Sequence, residues 1–594
     1  MNPKWPDIRK IAAAISVAIW FISASLASAG PAGPISWSSS ITMGGGWGRM
    51  VHLTNGNWLC VTTQYPAGTN SYLRISRSTD NCRSWLILAS VKEPDRTLDN
   101  GEIIQLLDGT VLLTMRSLID SNSYVLPVYA SANNGATWTY RSNIDTSSGT
   151  IAAQGKGLWE PDFWVLDDGR LVVTYANETH PGYSQLVSER VSTDGGTNWG
   201  AEIYAAAQVG GGSLRPGMPQ MVRMANGKYL LVFEVVNSGN ADVHCKISDD
   251  GVTWPDGIGA KIPCQHCGPF VMSLPNGVLL VTSCENQISF SEDYGDTWQL
   301  NDPPAWPTGY LFTWPAIYQT QTNEVGVMVV TNGVRLRFGA VSPIPPWTNL
   351  FVANFDSGSD PGWAHYGGNF SFNTGAFLLN DFGTYGKALA GDGFWTDGTL
   401  DADVMLNSTG NAGLVFRMTN PDYTGPDDGL GYYAGLDASG FAVLGRESNS
   451  WTQLATATMS VPTNVWHHLR VHLAGDNMQI YVNDLVTPKI TWTDTNFYRG
   501  QIGVRSFQCN AQFDNVTFSN AVPMQLHLNS DNDQLEVAWP QTSVSVKLYS
   551  QTNLTMPGSA SAWTNLPVLT NRTWQMQLNP SPPAPAQFFW LRSE

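Results

Sequence analysis

Two glutamates, Glu160 and Glu234, have the residue type and the spacing that hydrolysis of a glycosidic bond requires. That reaction uses a pair of carboxyl groups: one donates a proton to the leaving oxygen, and the other attacks the anomeric carbon or activates water. Glu160 lies in the stretch Trp159-Glu160-Pro161, and Glu234 ends an apolar run that starts at Tyr229. Taken singly, each is more simply interpreted as a solvated loop residue. The chemistry therefore depends on a fold that brings the two together.

A short phrase that recurs six times between Met50 and Val330 predicts such a fold. Each copy is an apolar run, an Asn-Gly or Asp-Gly pair, and a second apolar run. The copies occupy residues 51–59, 104–112, 165–171, 222–230, 271–280 and, in degraded form, 321–327. The pair predicts a tight hairpin with positive φ at both turn positions. Repetition at roughly 45 to 60 residues predicts four-stranded blades around an axis, a β-propeller.

Aligning the copies on the turn glycine predicts which residues face the central channel. The first strand of a blade starts at the mouth of the channel, and the second strand returns to that mouth. The residues expected at the start of the first strands are Trp47, Asn100, Glu160, Met218, Gly268 and Trp314. Those expected at the end of the second strands are Thr63, Arg116, Ala176, Glu234 and Cys284. The two glutamates are thus predicted at equal depth on adjacent blades.

A second repeat, of the form S-x-D-x-G-x-T-W, runs in step with the first and resembles the Asp box of sialidase-like propellers. Its five copies end at Trp85, Trp138, Trp199, Trp254 and Trp298. We interpret it as a turn in which Ser and Asp side chains accept backbone N–H bonds, Gly takes a left-handed conformation and Trp packs between strands. The alternative, metal binding by residues such as Asp80 or Asp293, is the weaker interpretation because five copies of a turn indicate scaffold.

The N-terminus is typical of a secretory signal peptide, expected over residues 1–29. Lys4, Arg9 and Lys10 precede an apolar stretch from 11 to 26, and the small residues of Ala27-Ser28-Ala29 form a cleavage pattern. No later segment reaches the length of a membrane span. The mature chain is therefore expected to be secreted or periplasmic, with no membrane span.

Composition narrows the class of partner. The 594 residues carry a formal charge of −17, but only 13% are charged, and 24 are Trp. Nucleic acid is not expected, because it requires a basic stripe. Uncharged sugars fit better, since their C–H faces stack on aromatic rings, and the expected partner is a polysaccharide or oligosaccharide substrate.

Seven cysteines leave at least one unpaired. The segment Cys264-Gln265-His266-Cys267, with Cys245 and Cys284 nearby, could suggest zinc. Because no second C-x-x-C accompanies it, disulfides or buried thiols are the better interpretation. We expect no metal and no cofactor.

The chain is too long for one core, so several domains are expected. The expected fold class is all-β, with a six-bladed β-propeller, a jelly-roll β-sandwich and a small C-terminal β-domain. The expected boundaries are 35–341 for the propeller, 342–350 for a Pro-rich linker, 351–520 for the sandwich and 524–594 for the C-terminal domain. Segments 411–417, 432–437 and 513–516 of the sandwich resemble concanavalin-type carbohydrate-binding modules. A spacer sandwich without a ligand remains the alternative.

The segments 157–162 (G-L-W-E-P-D) and 215–234 resemble those of exo-α-1,5-L-arabinanases, which are six-bladed retaining glycosidases. The resemblance spans the propeller and implies hydrolysis of α-L-arabinan or a related furanoside polysaccharide. It implies that Glu160 and Glu234 are the catalytic pair, with Glu234 as nucleophile and Glu160 as acid/base. A retaining mechanism predicts about 5–5.5 Å between their carboxyl groups.

The expected substrate-binding residues are Trp47, Arg49, Asn100, Arg116, Arg215 and Trp314. Trp47 and Trp314 would flank the mouth as stacking surfaces, although Trp in a propeller is more often core. Arg49 and Arg116 could instead neutralise nearby acids such as Glu102.

Two other functions stay open. An exo-sialidase would gather Arg49, Arg116 and Arg215 around a substrate carboxylate, but Gly46 stands where the first arginine of a sialidase belongs. A propeller that binds glycans without cleaving them is the second alternative. It does not require two opposed carboxylates.

Overall fold

A computed structural model describes residues 32–119, 122–301, 303–307, 313–343, 350–380 and 385–520, with short strands between 527 and 593. The expected signal peptide and most of the expected linker lie outside the described residues. The predicted all-β class, with a six-bladed propeller followed by a β-sandwich, is confirmed. Among the described residues the one helix is the five-residue α1 (Gly149–Ala153). The described part of the chain contains no helix of the length and apolarity needed to cross a membrane.

The first five blades follow one another along the chain, each as four antiparallel strands in sequence order. Blade one contains β2 (Gly46–His52), β3 (Trp58–Gln64), β4 (Tyr72–Ser78) and β5 (Leu86–Val91). Blade two contains β6 (Thr97–Gln105), β7 (Val111–Ile119), β8 (Ser123–Ser131) and β9 (Thr139–Ser148). Blade three contains β10 (Leu158–Val165), β11 (Leu171–Asn177), β12 (Leu186–Ser192) and β13 (Ile203–Ala206). Blade four contains β14 (Arg215–Arg223), β15 (Tyr229–Val236), β16 (Asp242–Ser248) and β17 (Ala260–His266). Blade five contains β18 (Phe270–Ser273), β19 (Leu279–Thr282), β20 (Ser289–Ser291) and β21 (Gln299–Leu300).

The sixth blade joins the two ends of the propeller. It contains β22 (Thr313–Gln321), β23 (Glu324–Val330) and β24 (Val334–Pro343), and its outer strand is β1 (Ala32–Thr42) from the start of the described chain. The pairing sets Ile35 opposite Val341 and Ile41 opposite Leu336. This pairing covers the outer edge of β24, because the backbone groups of β24 are then bonded on both sides.

The repeated hairpins use a different turn from the one predicted. In the first, the Gly56 N–H donates to Leu53 O over 2.9 Å and the Leu53 N–H donates to Asn57 O over 2.8 Å. Gly56 has φ 83°, but Asn55 is not among the described residues with positive φ. The prediction of positive φ at both positions is therefore wrong. The loop is a type I turn followed by a left-handed glycine, the other common hairpin with an Asn-Gly pair.

The Asp boxes form the predicted turns between the third and fourth strands of their blades. In the fifth copy the Gly295 N–H donates to Ser291 Oγ over 2.9 Å, and the Thr297 N–H donates to Asp293 Oδ1 over 2.9 Å. Gly295 has φ 93°, and the Trp298 ring N–H donates back to Gly295 O. In the first copy Cys82 replaces the glycine and adopts φ 68°. These bonds make each box a self-contained turn.

The sandwich consists of two antiparallel sheets. The first contains β25 (Leu350–Ala353), β27 (Phe370–Asn373), β28 (Ala376–Asn380), β30 (Gly398–Leu406), β35 (Trp466–Ala474), β36 (Asn477–Val482), β37 (Ile490–Thr493) and β39 (Asn510–Asn520). The second contains β26 (Trp363–Gly367), β29 (Tyr385–Ala390), β31 (Asn411–Thr419), β32 (Leu430–Asp437), β33 (Phe441–Ser448), β34 (Trp451–Thr458) and β38 (Gln501–Phe507). Between them lies an apolar core that includes Phe377, Leu414 and Phe513.

The outer face of the second sheet packs against blades four and five. Cys264 and Leu300 of the propeller share one buried cluster with Tyr366, Val415 and Met418 of the sandwich. Polar contacts surround that cluster: the Leu300 N–H donates to the Tyr366 hydroxyl, and the Trp298 N–H donates to Asn420 Oδ1. Arg499 pairs with Asp293 at 2.7 Å, and Lys261 pairs with Asp422 at 3.0 Å.

Two small sheets follow the sandwich. One contains β40 (His527–Asp531), β41 (Gln534–Pro540), β44 (Val568–Thr570) and β45 (Thr573–Leu578); the other contains β42 (Val546–Gln551), β43 (Ser561–Ala562) and β46 (Phe588–Ser593).

Candidate active site

The six residues aligned at the start of the first strands share one backbone conformation. Trp47, Asn100, Glu160, Met218, Gly268 and Trp314 all have φ between 48° and 54°. In five blades the position lies inside a break in the register between the first and second strands. Such bulges turn a side chain away from the pleat, and five non-glycine residues here carry the strain of a left-handed conformation. The repeat thus directs six residues toward the channel, and the glutamate among them is Glu160.

Glu160 is held by the neighbouring blade. Its Oε2 accepts a hydrogen bond of 2.9 Å from the Met218 N–H, and the carboxyl group remains partly exposed. Burial and the negative charge of Glu234 together raise the pKa of Glu160 to about 7, against the opposing effects of the Met218 N–H and the charge of Arg116. A substantial fraction of Glu160 is therefore protonated near neutral pH, as a general acid requires.

Glu234 ends the apolar part of β15 and is also partly exposed. Its Oε2 accepts a hydrogen bond of 2.7 Å from the Gly268 N–H. Burial raises the pKa of Glu234, while the Gly268 amide, the Cys267 thiol and the charge of Arg215 lower it. Three groups therefore stabilise the ionised form of this carboxyl group.

Gly217 separates the two glutamates. It is the strand partner of Glu234, and a Cβ at Gly217 would lie 3.5 Å from Glu160 Oε2. The same Cβ would lie 2.4 Å from Gln185 Nε2, so a larger residue at this position would require the Gln185 side chain to move. The two carboxyl groups thus lie on one wall of the channel mouth. The 5–5.5 Å spacing stays a prediction.

Arg215 and Arg116 flank this wall. Arg215 pairs with Glu178 and donates to Gln185 Oε1 over 2.7 Å. Arg116 pairs with Asp99 at 3.2 Å. Both arginines are partly exposed and influence the pKa of the glutamates, Arg116 that of Glu160 and Arg215 that of Glu234.

Trp159 precedes Glu160 and was not among the predicted site residues. Its ring lies under Arg116, with 4.0 Å from the guanidinium carbon to the ring centroid, and its Nε1–H donates to Glu178 Oε2. Glu178 also accepts from the Gly157 N–H and is 7% exposed. It thereby ties Trp159 to Arg215 across two blades. The sequence offered two signals for these residues. Trp159 is next to Glu160, and Glu178 lies two residues beyond Ala176 in the alignment of the blades.

The other predicted substrate-binding residues differ in depth. Trp47 is 1% exposed, Arg49 is 0% exposed and Asn100 is buried, whereas Trp314 is partly exposed. The Trp47 ring lies 5.9 Å from that of Trp314. Arg49 lies 3.6 Å from Glu102, the contact expected if it neutralises that acid. Trp47 and Arg49 therefore form a layer below the mouth.

Among the described residues, no group of three or more His, Cys, Asp or Glu side chains is arranged to hold a metal ion. The segment that contains Cys264 and Cys267 instead forms the end of β17 and the turn that leads to Gly268.

Two family models match the chain. Residues 50–256 match the BNR repeat-like domain, and residues 346–519 match the 3-keto-alpha-glucoside-1,2-lyase-like domain. The first match covers most of blades one to four, and it confirms the resemblance seen in the Asp boxes. No curated protein sequence matches the chain.

Several solved structures are similar. The α-L-arabinanase of Penicillium chrysogenum complexed with arabinobiose is 20% identical, with a TM-score of 0.45 over 51% of this chain and 98% of that chain. The α-L-arabinofuranosidase of Fusarium graminearum is 20% identical, with a TM-score of 0.45 over 51% of this chain and 97% of that chain. The sialidase of Trypanosoma rangeli is 12% identical, with a TM-score of 0.40 over 81% of this chain and 92% of that chain.

Proposed function

We propose that the chain is an exported retaining exo-glycosidase that hydrolyses α-L-arabinan or a related furanoside polysaccharide. The observation that carries this proposal is the pair Glu160 and Glu234 on either side of Gly217, each held by a backbone N–H of the next blade. The reaction requires one carboxyl group to hold a proton while the other is ionised. The groups around Glu160 and Glu234 differ in a way that favours this division.

In the first step the Glu234 carboxylate attacks the anomeric carbon, and the bond from that carbon to the leaving oxygen breaks. Glu160 gives its proton to the leaving oxygen, so the products are a glycosyl ester of Glu234 and a free alcohol. The pKa of Glu160 near 7 supports this role. The donors around Glu234 support the role of nucleophile.

In the second step the Glu160 carboxylate takes a proton from water, which attacks the anomeric carbon and releases Glu234. Esterification removes the negative charge of Glu234, one of the causes that raise the pKa of Glu160. The pKa of Glu160 therefore falls when it must act as a base, and rises again when Glu234 is released. One pair of carboxyl groups thus serves both steps.

The sugar is expected to lie over Trp159 and Trp314, with Arg116 and Arg215 at its edge. Rings and partly exposed donors of this kind suit the C–H faces and hydroxyl groups of a neutral sugar. The preference for arabinan and the release from a chain end come from the resemblance of segments 157–162 and 215–234 to exo-α-1,5-L-arabinanases.

Exo-sialidase activity is less well supported. The three arginines that would hold a sialate carboxylate are each paired with a carboxylate of the chain: Arg49 with Glu102, Arg116 with Asp99 and Arg215 with Glu178. A lectin-like role leaves unexplained why two carboxyl groups share one wall.

The test compares release of reducing sugar from debranched arabinan, sialyllactose and levan, with the anomeric configuration of the first product followed by NMR. The expected result is arabinose or a short arabino-oligosaccharide of retained configuration. Cleavage of sialyllactose alone would replace this proposal with the sialidase, and binding without cleavage of any substrate would favour the lectin.

Export is proposed from the sequence, and the sandwich is proposed to bind carbohydrate. N-terminal sequencing of the protein recovered from the medium or periplasm tests the first proposal, with Gly30 as the expected first residue.

A further inference from the structure

Cys267 and Cys284 lie against each other beside Glu234. Their sulfur atoms are 2.6 Å apart, close to the about 2.05 Å of a disulfide bond. These are also the two cysteines that are partly exposed, whereas the other five are buried. An oxidant that reaches the mouth of the channel therefore reaches this pair first.

The backbone already holds the two residues together. The Cys284 N–H donates to Cys267 O over 3.0 Å and to His266 O over 3.1 Å, and the Cys267 N–H donates to Ala241 O over 2.8 Å. Cys267 has φ 60° and Gly268 has φ 50°, so two consecutive residues adopt left-handed conformations. A non-glycine residue keeps such a conformation only when its surroundings enforce it.

The segment Cys267-Gly268, held in this way, contains the backbone N–H that donates to Glu234. The Gly268 N–H donates to Glu234 Oε2 over 2.7 Å, and the Cys267 thiol is the other nearby donor. A bond between the sulfurs would remove the thiol hydrogen. The Gly268 amide would then be the donor that remains, and its position would matter more.

We propose that Cys267 and Cys284 form a disulfide bond that positions the Gly268 amide against Glu234. Two S–H bonds break and one S–S bond forms; two electrons and two protons pass to a disulfide oxidant such as oxidised glutathione, whose own S–S bond breaks to give two thiols. The bond links the turn before β18 to the residues that follow β19. Its effect on turnover rests on the proposed function, but its existence does not.

The first test maps the bond directly. Neither Lys nor Arg lies between residues 267 and 284, so chymotrypsin is used to cleave at Phe270 and the leucines of β19. After incubation with oxidised glutathione, mass spectrometry should find the two cysteine peptides joined and two hydrogens lighter than their sum, and separate after reduction. Two separate thiol peptides in the oxidised protein would overturn the proposal, whatever the activity.

The second test measures the positioning role. Reduction with dithiothreitol should lower kcat by between about tenfold and a hundredfold with KM little changed, the scale of a small misplacement at a reacting group. Cys284→Ser should show the lower rate with or without reductant. Reoxidation should restore the wild-type rate and leave the variant unchanged.

Azide rescue separates positioning from general damage. In Glu234→Ala, azide replaces the nucleophile, so the Gly268 amide no longer has a carboxylate to hold, and the rescued rate should be insensitive to reductant. If reductant lowered the rescued rate as much as the wild-type rate, the bond would have only a structural role. If reductant changed the rates of wild type and Cys284→Ser equally, the proposal would be contradicted.

Discussion

At the residue scale, Glu160 and Glu234 are distinct because different atoms surround them. Glu160 has the Met218 amide and the charge of Arg116 but also the negative charge of Glu234, whereas Glu234 has the Gly268 amide, the Cys267 thiol and the charge of Arg215. Burial raises the pKa of both, so the number of stabilising groups decides which one keeps its proton. The two glutamates should therefore respond differently when each is removed.

Glu234→Ala is expected to lower kcat on the order of 10⁴-fold or more, as loss of a nucleophile does. Added azide should fill the space and restore turnover with a product of inverted configuration. Glu160→Ala should lose about 10²- to 10⁴-fold on a substrate with a poor leaving group and least on an aryl glycoside. Azide should then give a product of retained configuration, because the ester on Glu234 still forms.

NMR of the azide adducts measures both configurations. Exchanged outcomes would exchange the two roles, and equal losses that azide does not rescue would indicate binding or folding roles.

The pH dependence of kcat/KM should have an alkaline limb near pH 7. Glu160 must be protonated to act as an acid, and its pKa is raised to about 7, so activity falls as pH rises through that value. The acidic limb belongs to Glu234, which must be ionised, and it should lie above the about 4.3 of an ordinary glutamate because burial raises its pKa.

The check is the profile of Glu160→Gln on an aryl glycoside. Its alkaline limb should be absent while the acidic limb persists. An unchanged alkaline limb would assign that ionisation to another group.

At the element scale, the bulged first strands and the Asp boxes have separate tasks. The bulges direct side chains into the channel, while the boxes close turns away from it. Trp298 is 2% exposed in the core between blades four and five, but Trp138 is partly exposed. Loss of either ring should affect stability more than chemistry.

Trp298→Ala is expected to lower the free energy of unfolding by about 3–5 kcal/mol, the scale for a large buried aromatic. Trp138→Ala should cost less because its ring is already partly in water. Chemical denaturation measures both, and the kcat of the folded fraction should stay near that of the wild type. Loss of turnover at an unchanged melting temperature would show that the boxes take part in the site.

The repeats in the sequence predicted the blade strands and the positions of Glu160 and Glu234 on them, because one turn glycine per blade allowed the six copies to be aligned. Glu178 was missed because its partners, Trp159 and Arg215, come from different blades, and an alignment within blades does not show contacts between them. Strand β1 was missed as part of blade six because it pairs with β24 without a connecting turn. The hairpin type was wrong because an Asn-Gly pair occurs in both kinds of turn.

At the scale of the whole molecule, the sandwich and the propeller share buried contacts. Arg499 pairs with Asp293, lies 4.2 Å over the Phe394 ring and has a side chain that is 9% exposed. Asp293 is also the carboxylate of the fifth Asp box, so one residue serves both the turn and the interface. The two parts are therefore expected to unfold together.

Arg499→Ala should lower the free energy of unfolding by about 3 kcal/mol, because it leaves Asp293 buried without its partner. The matched control is Arg170→Ala, which removes a more exposed pair with Asp168 and should cost much less. Calorimetry should show one transition at a lower temperature for Arg499→Ala. Equal shifts for both variants would indicate that the interface contributes little.

The closure of the ring by β1 has a consequence for how the molecule is made. The first described strand is synthesised about 300 residues before the strand it pairs with, and bringing such distant segments together costs about 5 kcal/mol of chain entropy. The ring is therefore expected to close last, and until then β24 is an open edge. A β1 from a second nascent chain fits that edge equally well, so crowded refolding should yield strand-exchanged dimers that dilution prevents.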